Sequence, residues 1–329
     1  MPLVFPLSAF MHRVAALALL AALAVPAWSQ SYPSRPVTLI VSSAPGAGVD
    51  FFARILAEKL RTRIAQPVVV ENRPGASGMV AAGLAVKAAP DGHTLFLMPN
   101  TLVIAPYVLS PGAATVNVLR ELVPVVLPVA TLMVLAVNGK LGVTSVPELV
   151  AAAKKQPGLP YAAGDNGSPM HVLGEQLAKR AGLDLTFVPY KGVAQSVAAA
   201  LGGQVNVIWM PTSSNVQHFR SGALRPIAHA SPRRSPLLPD VPTMIELGYR
   251  DIEAVAWFGM LAPLATPQTT IGRLNKEVNA VLAAADVRES LLTAGYVPEG
   301  GSPEALGAQM RADDARYRGL IAELGIKAD

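Results

Sequence analysis

Short runs of β-branched and aliphatic residues alternate with longer runs of helical periodicity from residue 37 onward, and this alternation restricts the fold more than any other feature. In the first third of the chain it predicts strands at 37–41, 68–71 and 94–98, and helices at 51–64 and 79–88. Strands that alternate with helices form parallel sheets with the helices packed on their faces. The sequence therefore predicts an α/β fold.

A second alternation follows residue 130, and no Pro- or Ser-rich linker separates it from the first. It predicts strands at 133–137, 161–163, 185–188, 205–210 and 224–229, a further strand at 254–264, and two or three helices after that strand. Two α/β units without a linker favour two lobes joined by strands that cross between them. We predict lobe one as residues 30–130 and 254–329, and lobe two as residues 131–253.

The N-terminus carries an apolar run at 14–25, preceded by His12 and Arg13 and followed by Ala27-Trp28-Ser29. A basic start, a short apolar run and small residues at the cleavage position are typical of a secretory signal peptide. The run is shorter than the roughly 20 residues that a spanning helix needs. We predict a signal peptide over 1–29 that is cleaved near Ser29, and hence an exported protein; an uncleaved anchor is the alternative.

Charge and cysteine content exclude several classes of protein. Removing residues 1–29 takes away one positive charge, Arg13, so the formal net charge falls from +5 to +4. No run of basic residues marks a nucleic-acid surface, and we predict no nucleic-acid partner. The chain has no cysteine, which excludes disulfides, thiolate nucleophiles and zinc–thiolate sites. A mild positive excess favours an anionic ligand.

The loop after the first strand is the first candidate binding element. Gly46 and Gly48 let backbone N–H groups approach an anion, and Asp50 suits the N-cap of the following helix. The alternative is a glycine turn that only packs the strand against the helix. We expect ligand contacts from Ala44, Pro45, Gly46, Ala47, Gly48, Val49 and Asp50.

Further candidates follow later strands. Asn166, Gly167 and Ser168 precede a helix that begins at Pro169, and their N–H and hydroxyl groups suit a second polar group. His171 is either a ligand contact or a packing residue, and Lys191 is either an anion partner or a solvated side chain. Asn100 and Thr101 are interpreted as pocket residues or as a helix cap. Trp209 is expected to offer apolar contact.

Signatures of catalysis are missing from the sequence. The histidines after residue 29 are His93, His171, His218 and His229, and none forms the H-E-x-x-H pattern of a zinc site. No G-x-S-x-G nucleophile motif occurs. We therefore predict a binding protein without metal or cofactor rather than an enzyme.

Several motifs resemble the substrate-binding proteins of tripartite tricarboxylate transporters, the Bug family. The matching segments are 32–37, 44–50, 70–76, 87–95, 166–169, 188–192, 201–205, 234–243 and 257–259. The resemblance implies a two-lobed periplasmic binding protein of type II, a Venus flytrap with two crossover strands. It also implies that the protein captures a small carboxylate between its lobes and delivers it to membrane permease subunits. We predict a protein that acts as a monomer and is periplasmic, as the resemblance implies. A sensor component of the same fold and, behind it, a periplasmic enzyme are the alternatives.

The chain departs from the pattern of this family near the expected site. Members usually carry proline and an aromatic residue where this chain has Ser42 and Ser43, and Thr or Ser where it has Val49. They carry an Asp-Asn pair where it has Met210-Pro211. The expected anion contacts therefore rest on the backbone of 44–50 and 166–168.

Overall fold

The strands of the described chain, residues 32–213 and 215–326 of a computed structural model, form one hydrogen-bonded network. They are β1 Val37–Val41, β2 Val68–Asn72, β3 Thr94–Pro99, β4 Leu122–Val137, β5 Leu159–Ala162, β6 Leu185–Val188, β7 Val207–Pro211, β8 Arg225–His229, β9 Val255–Pro263 and β10 Val297–Gly300. Their spatial order is β2-β1-β3-β9-β4-β7-β5-β6, with β8 and β10 paired to β4. The predicted signal peptide lies outside the described residues.

Helices connect most of these strands. They are α1 Gly48–Ile64, α2 Met79–Lys87, α3 Thr101–Val108, α4 Val118–Glu121, α5 Val146–Lys155, α6 Pro169–Ala181, α7 Val193–Gly202, α8 Val216–Arg220, α9 Gln268–Ala283, α10 Ala285–Thr293 and α11 Pro303–Leu324. Short 3-10 turns occupy Ala76–Gly78 and Gly139–Leu141. None of the helices in the described chain is long and apolar enough to cross a membrane.

Strand β4 belongs to two sheets, and it organises the molecule. Its earlier part pairs with β9 and β10 beside the parallel strands β1, β2 and β3; we call these strands the first sheet. Its later part pairs with β7 and β8 beside β5 and β6; we call these the second sheet. The chain therefore passes between the two sheets without a linker.

Two groups of buried side chains reflect these two sheets. One group contains Phe96 and Leu261 of the first sheet together with Leu306 of α11. The other contains Leu135, Tyr161 and Trp209 of the second sheet. Strand β9 contributes to both groups: Ala256 packs with the side chains of the second sheet, and Trp257 packs with those of the first. Lobe boundaries near 130 and 253 are compatible with this packing and remain a prediction.

Most predicted elements form at the expected residues, and β1 and β6 have the predicted bounds. Three predictions need correction. Helix α1 begins at Gly48, so Asp50 lies in its first turn and Ala47 is the N-cap. Strand β4 begins eleven residues before the predicted start at Met133, because Pro124 and Pro128 interrupt the strand pattern in its sequence. The short strand β10 was not predicted.

Candidate ligand-binding site

A cavity of about 730 Å³ lies between loops of the first and second sheets, and we call it the cleft cavity. Its first wall comes from the β1–α1 loop, the turn after β2, and α3. Its second wall comes from the loop before α6 and the residues after β6. The lining residues are Ser42, Ser43, Ala44, Pro74, Gly75, Ala76, Ser77, Gly78, Pro99, Thr101, Leu102, Ile104, Ala105, Val108, Leu109, Asp165, Asn166, Gly167, Ser168, Lys191 and Gly192.

The β1–α1 loop presents a buried hydroxyl to this cavity. The Ser43 hydroxyl oxygen is buried and has no hydrogen-bond partner among the described residues. The loop itself is held in place, because the Asn72 amide donates to the Ser43 carbonyl at 3.1 Å and to Asp50 Oδ1 at 2.8 Å. A buried polar atom without a partner is rare in folded proteins. Because Ser43 lines the cavity, its unpartnered hydroxyl is a candidate donor to a bound molecule once the side chain turns toward it.

The turn after β2 lines the cavity with strained backbone, and the sequence analysis missed it. Gly75, Ala76, Ser77 and Gly78 all have positive φ angles, of 128°, 46°, 51° and 93°. The left-handed conformation costs a residue with a side chain roughly 1–2 kcal/mol. Strain of this kind collects at functional sites, where the surrounding structure holds it in place. The two glycines are compatible with positive φ angles, but nothing in the sequence signals them at Ala76 and Ser77.

The loop before α6 is built around two specific features. The Ser168 hydroxyl accepts the His171 N–H at 3.3 Å and so caps α6. Gly167 has a φ of 68°, and a Cβ at this position would overlap the Val108 side chain at the end of α3. Gly167 thus permits the close approach of the two walls of the cavity.

His171 stabilises the loop before α6 by a hydrogen bond to its backbone. Its Nδ1 accepts the Gly167 N–H at 3.0 Å, so the proton of a neutral ring is assigned to Nε2, which lies 3.6 Å from Glu175 Oε1. The ring stacks on Phe187 with centroids 3.7 Å apart. The His171 side chain, and then the Tyr161 hydroxyl that donates to Glu175 at 2.6 Å, hold the pKa of Glu175 below its ordinary value against the effect of burial.

Lys191 contributes a positive charge to the lining of the cleft cavity. It follows β6 and is exposed, and it is the one basic side chain among the described residues that line the cavity. Asp165 is the one acidic side chain in the same set. Among the residues described, no group of three or more histidine and carboxylate side chains is arranged to hold a metal ion.

The structure brings together only some of the predicted contact residues. Those that line the cleft cavity are Ala44, Thr101, Asn166, Gly167, Ser168 and Lys191. Those outside its lining are Pro45, Gly46, Ala47, Gly48, Val49, Asp50, Asn100, His171 and Trp209.

The residues outside the lining have structural roles that explain their position. Val49 and Trp209 are core residues, 4% and 1% exposed. The Asn100 side chain is buried and donates to the Val255 carbonyl, so Asn100 occupies the N-cap position of α3 without a capping hydrogen bond from its side chain. His171 acts through Gly167, as described above.

Asp50 is occupied within the protein. Its carboxylate accepts the Gly46 N–H at 2.8 Å and the Arg54 guanidinium at 3.1 Å, in addition to the Asn72 amide. Burial alone would raise the pKa of Asp50, but these three donors together hold it below its ordinary value. The carboxylate therefore stabilises the β1–α1 loop and uses the Gly46 N–H that was expected to face a ligand.

The sheet order, the shared strand and a cavity between the two sheets define a two-lobed periplasmic binding protein. The solved structure of the periplasmic binding protein BugD has a TM-score of 0.79 and 31% identity, covering 91% of this chain and all of that one. The structure of R. palustris Rpa4515 with adipate has a TM-score of 0.83 and 29% identity over the same shares. The predicted fold class is thus confirmed.

Sequence comparison gives the family. Residues 52–326 match the family model of the tripartite tricarboxylate transporter family receptor. Protein BugT of Bordetella pertussis is 35% identical over 308 residues, which are 93% of this chain and 94% of that relative. The chain belongs to the Bug family of tripartite tricarboxylate transporter receptors.

Proposed function

We propose that this receptor captures a small carboxylate in the cleft cavity and delivers it to the membrane permease subunits of a tripartite tricarboxylate transporter. Membership of the receptor family supports the permease partner. The observation that carries the ligand class is Lys191, the one basic side chain among the described lining residues. An ammonium group that shares a cavity lining with hydroxyl and amide donors suits a carboxylate, because charge-assisted hydrogen bonds are the strong ones.

The proposed contacts come from both walls. The buried Ser43 hydroxyl and Thr101 contribute from the side of the first sheet, and Asn166, Ser168 and Lys191 from the side of the second. Ser168 already accepts the His171 N–H, so the hydroxyl proton is what it offers to a ligand. Because contacts from both walls meet one ligand, binding favours the closed arrangement of the lobes.

The lobes in this proposal are residues 30–130 with 254–329, and residues 131–253. The receptor acts as an exported monomer without metal or cofactor, its signal peptide cleaved near Ser29, and it returns its ligand chemically unchanged. Mass spectrometry of the periplasmic protein is expected to give an N-terminus within a few residues of Gln30. Light scattering is expected to give the monomer mass, and the bound acid is expected to be recovered intact.

A thermal-shift screen of mono-, di- and tricarboxylates tests the ligand class. At least one acid is expected to raise the melting temperature of the mature protein. A set of neutral compounds of similar size serves as the control. Stabilisation by a neutral compound and by no acid would contradict the proposal.

The Lys191→Gln variant tests the site. Removing the ammonium group is expected to weaken binding of the best acid about 10- to 150-fold, since hydrogen bonds to charged groups contribute about 1.5–3 kcal/mol. Lys155→Gln is the matched control, because Lys155 is exposed at the end of α5 and outside the cavity lining. Titration calorimetry of both variants gives the comparison, and equal affinities would remove Lys191 from the site.

A further inference from the structure

The cleft cavity has a continuous apolar wall along α3. Its members are Leu102, Ile104, Ala105, Val108 and Leu109. Leu102, Ile104 and Ala105 are almost fully buried, whereas Val108 and Leu109 are half-buried at the C-terminal end of the helix. This end of α3 is therefore the part of the wall with the most surface left to cover.

Contacts on both sides hold the apolar wall in place. A Cβ on Gly78, in the strained turn after β2, would lie only 3.0 Å from the Leu102 side chain. On the opposite side, Gly167 lies against Val108 so closely that it has no room for a Cβ. Leu102 and Val108 thus cannot turn away to make room for polar atoms without moving the adjoining backbone.

The charges that line the cavity balance each other. Lys191 and Asp165 are the one basic and the one acidic side chain of the described lining, so the lining side chains sum to zero charge. A ligand with one carboxylate can place it beside Lys191. A second carboxylate would meet no second basic side chain in the described lining, only neutral donors such as Thr101 and the aliphatic wall. Burying a charge without an opposite charge beside it is unfavourable.

We infer that the preferred ligand is a monocarboxylate with an apolar body, bound with its carboxylate beside Lys191 and its body against α3. This inference rests on the proposed function and narrows it. It separates this receptor from the R. palustris relative solved with adipate, which is a dicarboxylate.

Hexanoate and adipate form a matched pair for the test, because both have six carbons and differ only in the terminal group. Titration calorimetry of the mature protein is expected to show hexanoate binding at least tenfold more tightly than adipate. Affinity is also expected to rise about fourfold per added methylene from propanoate to hexanoate, as burial of one methylene group predicts.

The results of these titrations distinguish the monocarboxylate inference from the proposed function as a carboxylate receptor. Tighter binding of adipate, succinate or citrate than of hexanoate overturns this inference and leaves the carboxylate receptor standing. A series whose affinity does not rise with chain length also overturns it. Absence of binding by every acid overturns both the inference and the proposed function.

Val108→Thr tests the apolar wall directly, because threonine keeps the shape of valine and replaces one methyl group by a hydroxyl. Hexanoate affinity is expected to fall about three- to tenfold, while adipate affinity changes less than twofold. Val69→Thr is the control, since Val69 is 52% exposed on β2 and outside the cavity lining. Equal losses for both acids, or no loss for hexanoate, would contradict contact between the ligand body and α3.

Discussion

At the scale of single residues, His171 affects the site through the backbone of Gly167. Its Nδ1 is the acceptor for a buried N–H in the loop that lines the cavity. His171→Leu leaves this N–H without a partner and is expected to lower the free energy of unfolding by about 1–3 kcal/mol. It is also expected to weaken ligand binding, because the loop is then free to shift.

His171→Asn separates support of the loop from simple packing. The asparagine side chain carries a δ-position oxygen that can accept the Gly167 N–H, so it is expected to recover most of the lost affinity. Urea unfolding and titration calorimetry of both variants, with ¹⁵N NMR of the ring tautomer in the wild type, give the comparison. An Asn variant as weak as the Leu variant, or a ring protonated at Nδ1, would show that the hydrogen bond is not what matters.

Asp50 makes stability depend on pH in a predictable direction. Its pKa is lower in the folded protein than in the unfolded chain, so its contribution is complete above about pH 3.9 and is lost as the pH falls through the lower folded value. Asp50→Asn is expected to destabilise the protein by about 1–3 kcal/mol at pH 7. Urea unfolding at pH 7 and near pH 3 is expected to show the difference from wild type shrinking with acid. A difference that stays constant would mean that the charge plays no part.

At the scale of secondary-structure elements, helix ends offer a paired test of backbone strain. Helix α1 ends in Ala65 with a φ of 54°, whereas α6 ends in Gly182 with a φ of 62°. Ala65→Gly is expected to stabilise the protein by about 1 kcal/mol, and Gly182→Ala to destabilise it by a similar amount. Open space surrounds Gly182, so no clash complicates the comparison. Thermal unfolding measures both, and changes of the same sign would contradict the strain argument.

The elements also show how far the sequence can be interpreted. Periodicity was sufficient for β1 and β6, because these short elements are bounded by turn residues and have a clear pattern. It failed at the start of β4, where the pairing with β9 shifts register next to Pro124 and again before Val129. A proline normally indicates the end of a strand, and the bulges that tolerate it arise only from tertiary pairing.

Prediction of the site had a similar limit. Among the residues predicted after strand ends, Ala44, Thr101 and the segment 166–168 line the cavity, because loops at one edge of a sheet converge. Their contact with a ligand stays a prediction. The turn at 75–78 was not predicted because Ala76 and Ser77, unlike glycine, rarely adopt the positive φ angles that they have in the structure. Asp50 was misinterpreted as a cap because its partner Asn72, at the end of β2, becomes a neighbour only in the folded sheet, whereas Arg54 lies one turn later in the same helix.

At the scale of the whole molecule, the shared strand joins both sheets in one network. The chain from Arg35 onward forms a single compact unit. Differential scanning calorimetry is therefore expected to show one cooperative transition, with calorimetric and van't Hoff enthalpies in agreement. A ligand at 100 times its dissociation constant is expected to add about 2.7 kcal/mol to the whole transition. Two transitions, of which the ligand moves only one, would show that the lobes unfold separately.

The contact between Gly167 and Val108 makes the receptor suitable for conversion into an optical biosensor. Gly167→Ala would insert one methyl group between the two walls, where it would overlap the Val108 side chain. The variant is therefore expected to widen the cleft and weaken binding. X-ray scattering and fluorescence transfer between dyes on the two walls measure the widening. Gly182→Ala, which shares the positive φ but has open space around it, is the control and is expected to leave the dye separation unchanged. Residue 167 would then be the position at which the detection range of such a sensor is adjusted without altering any group that touches the ligand's charge.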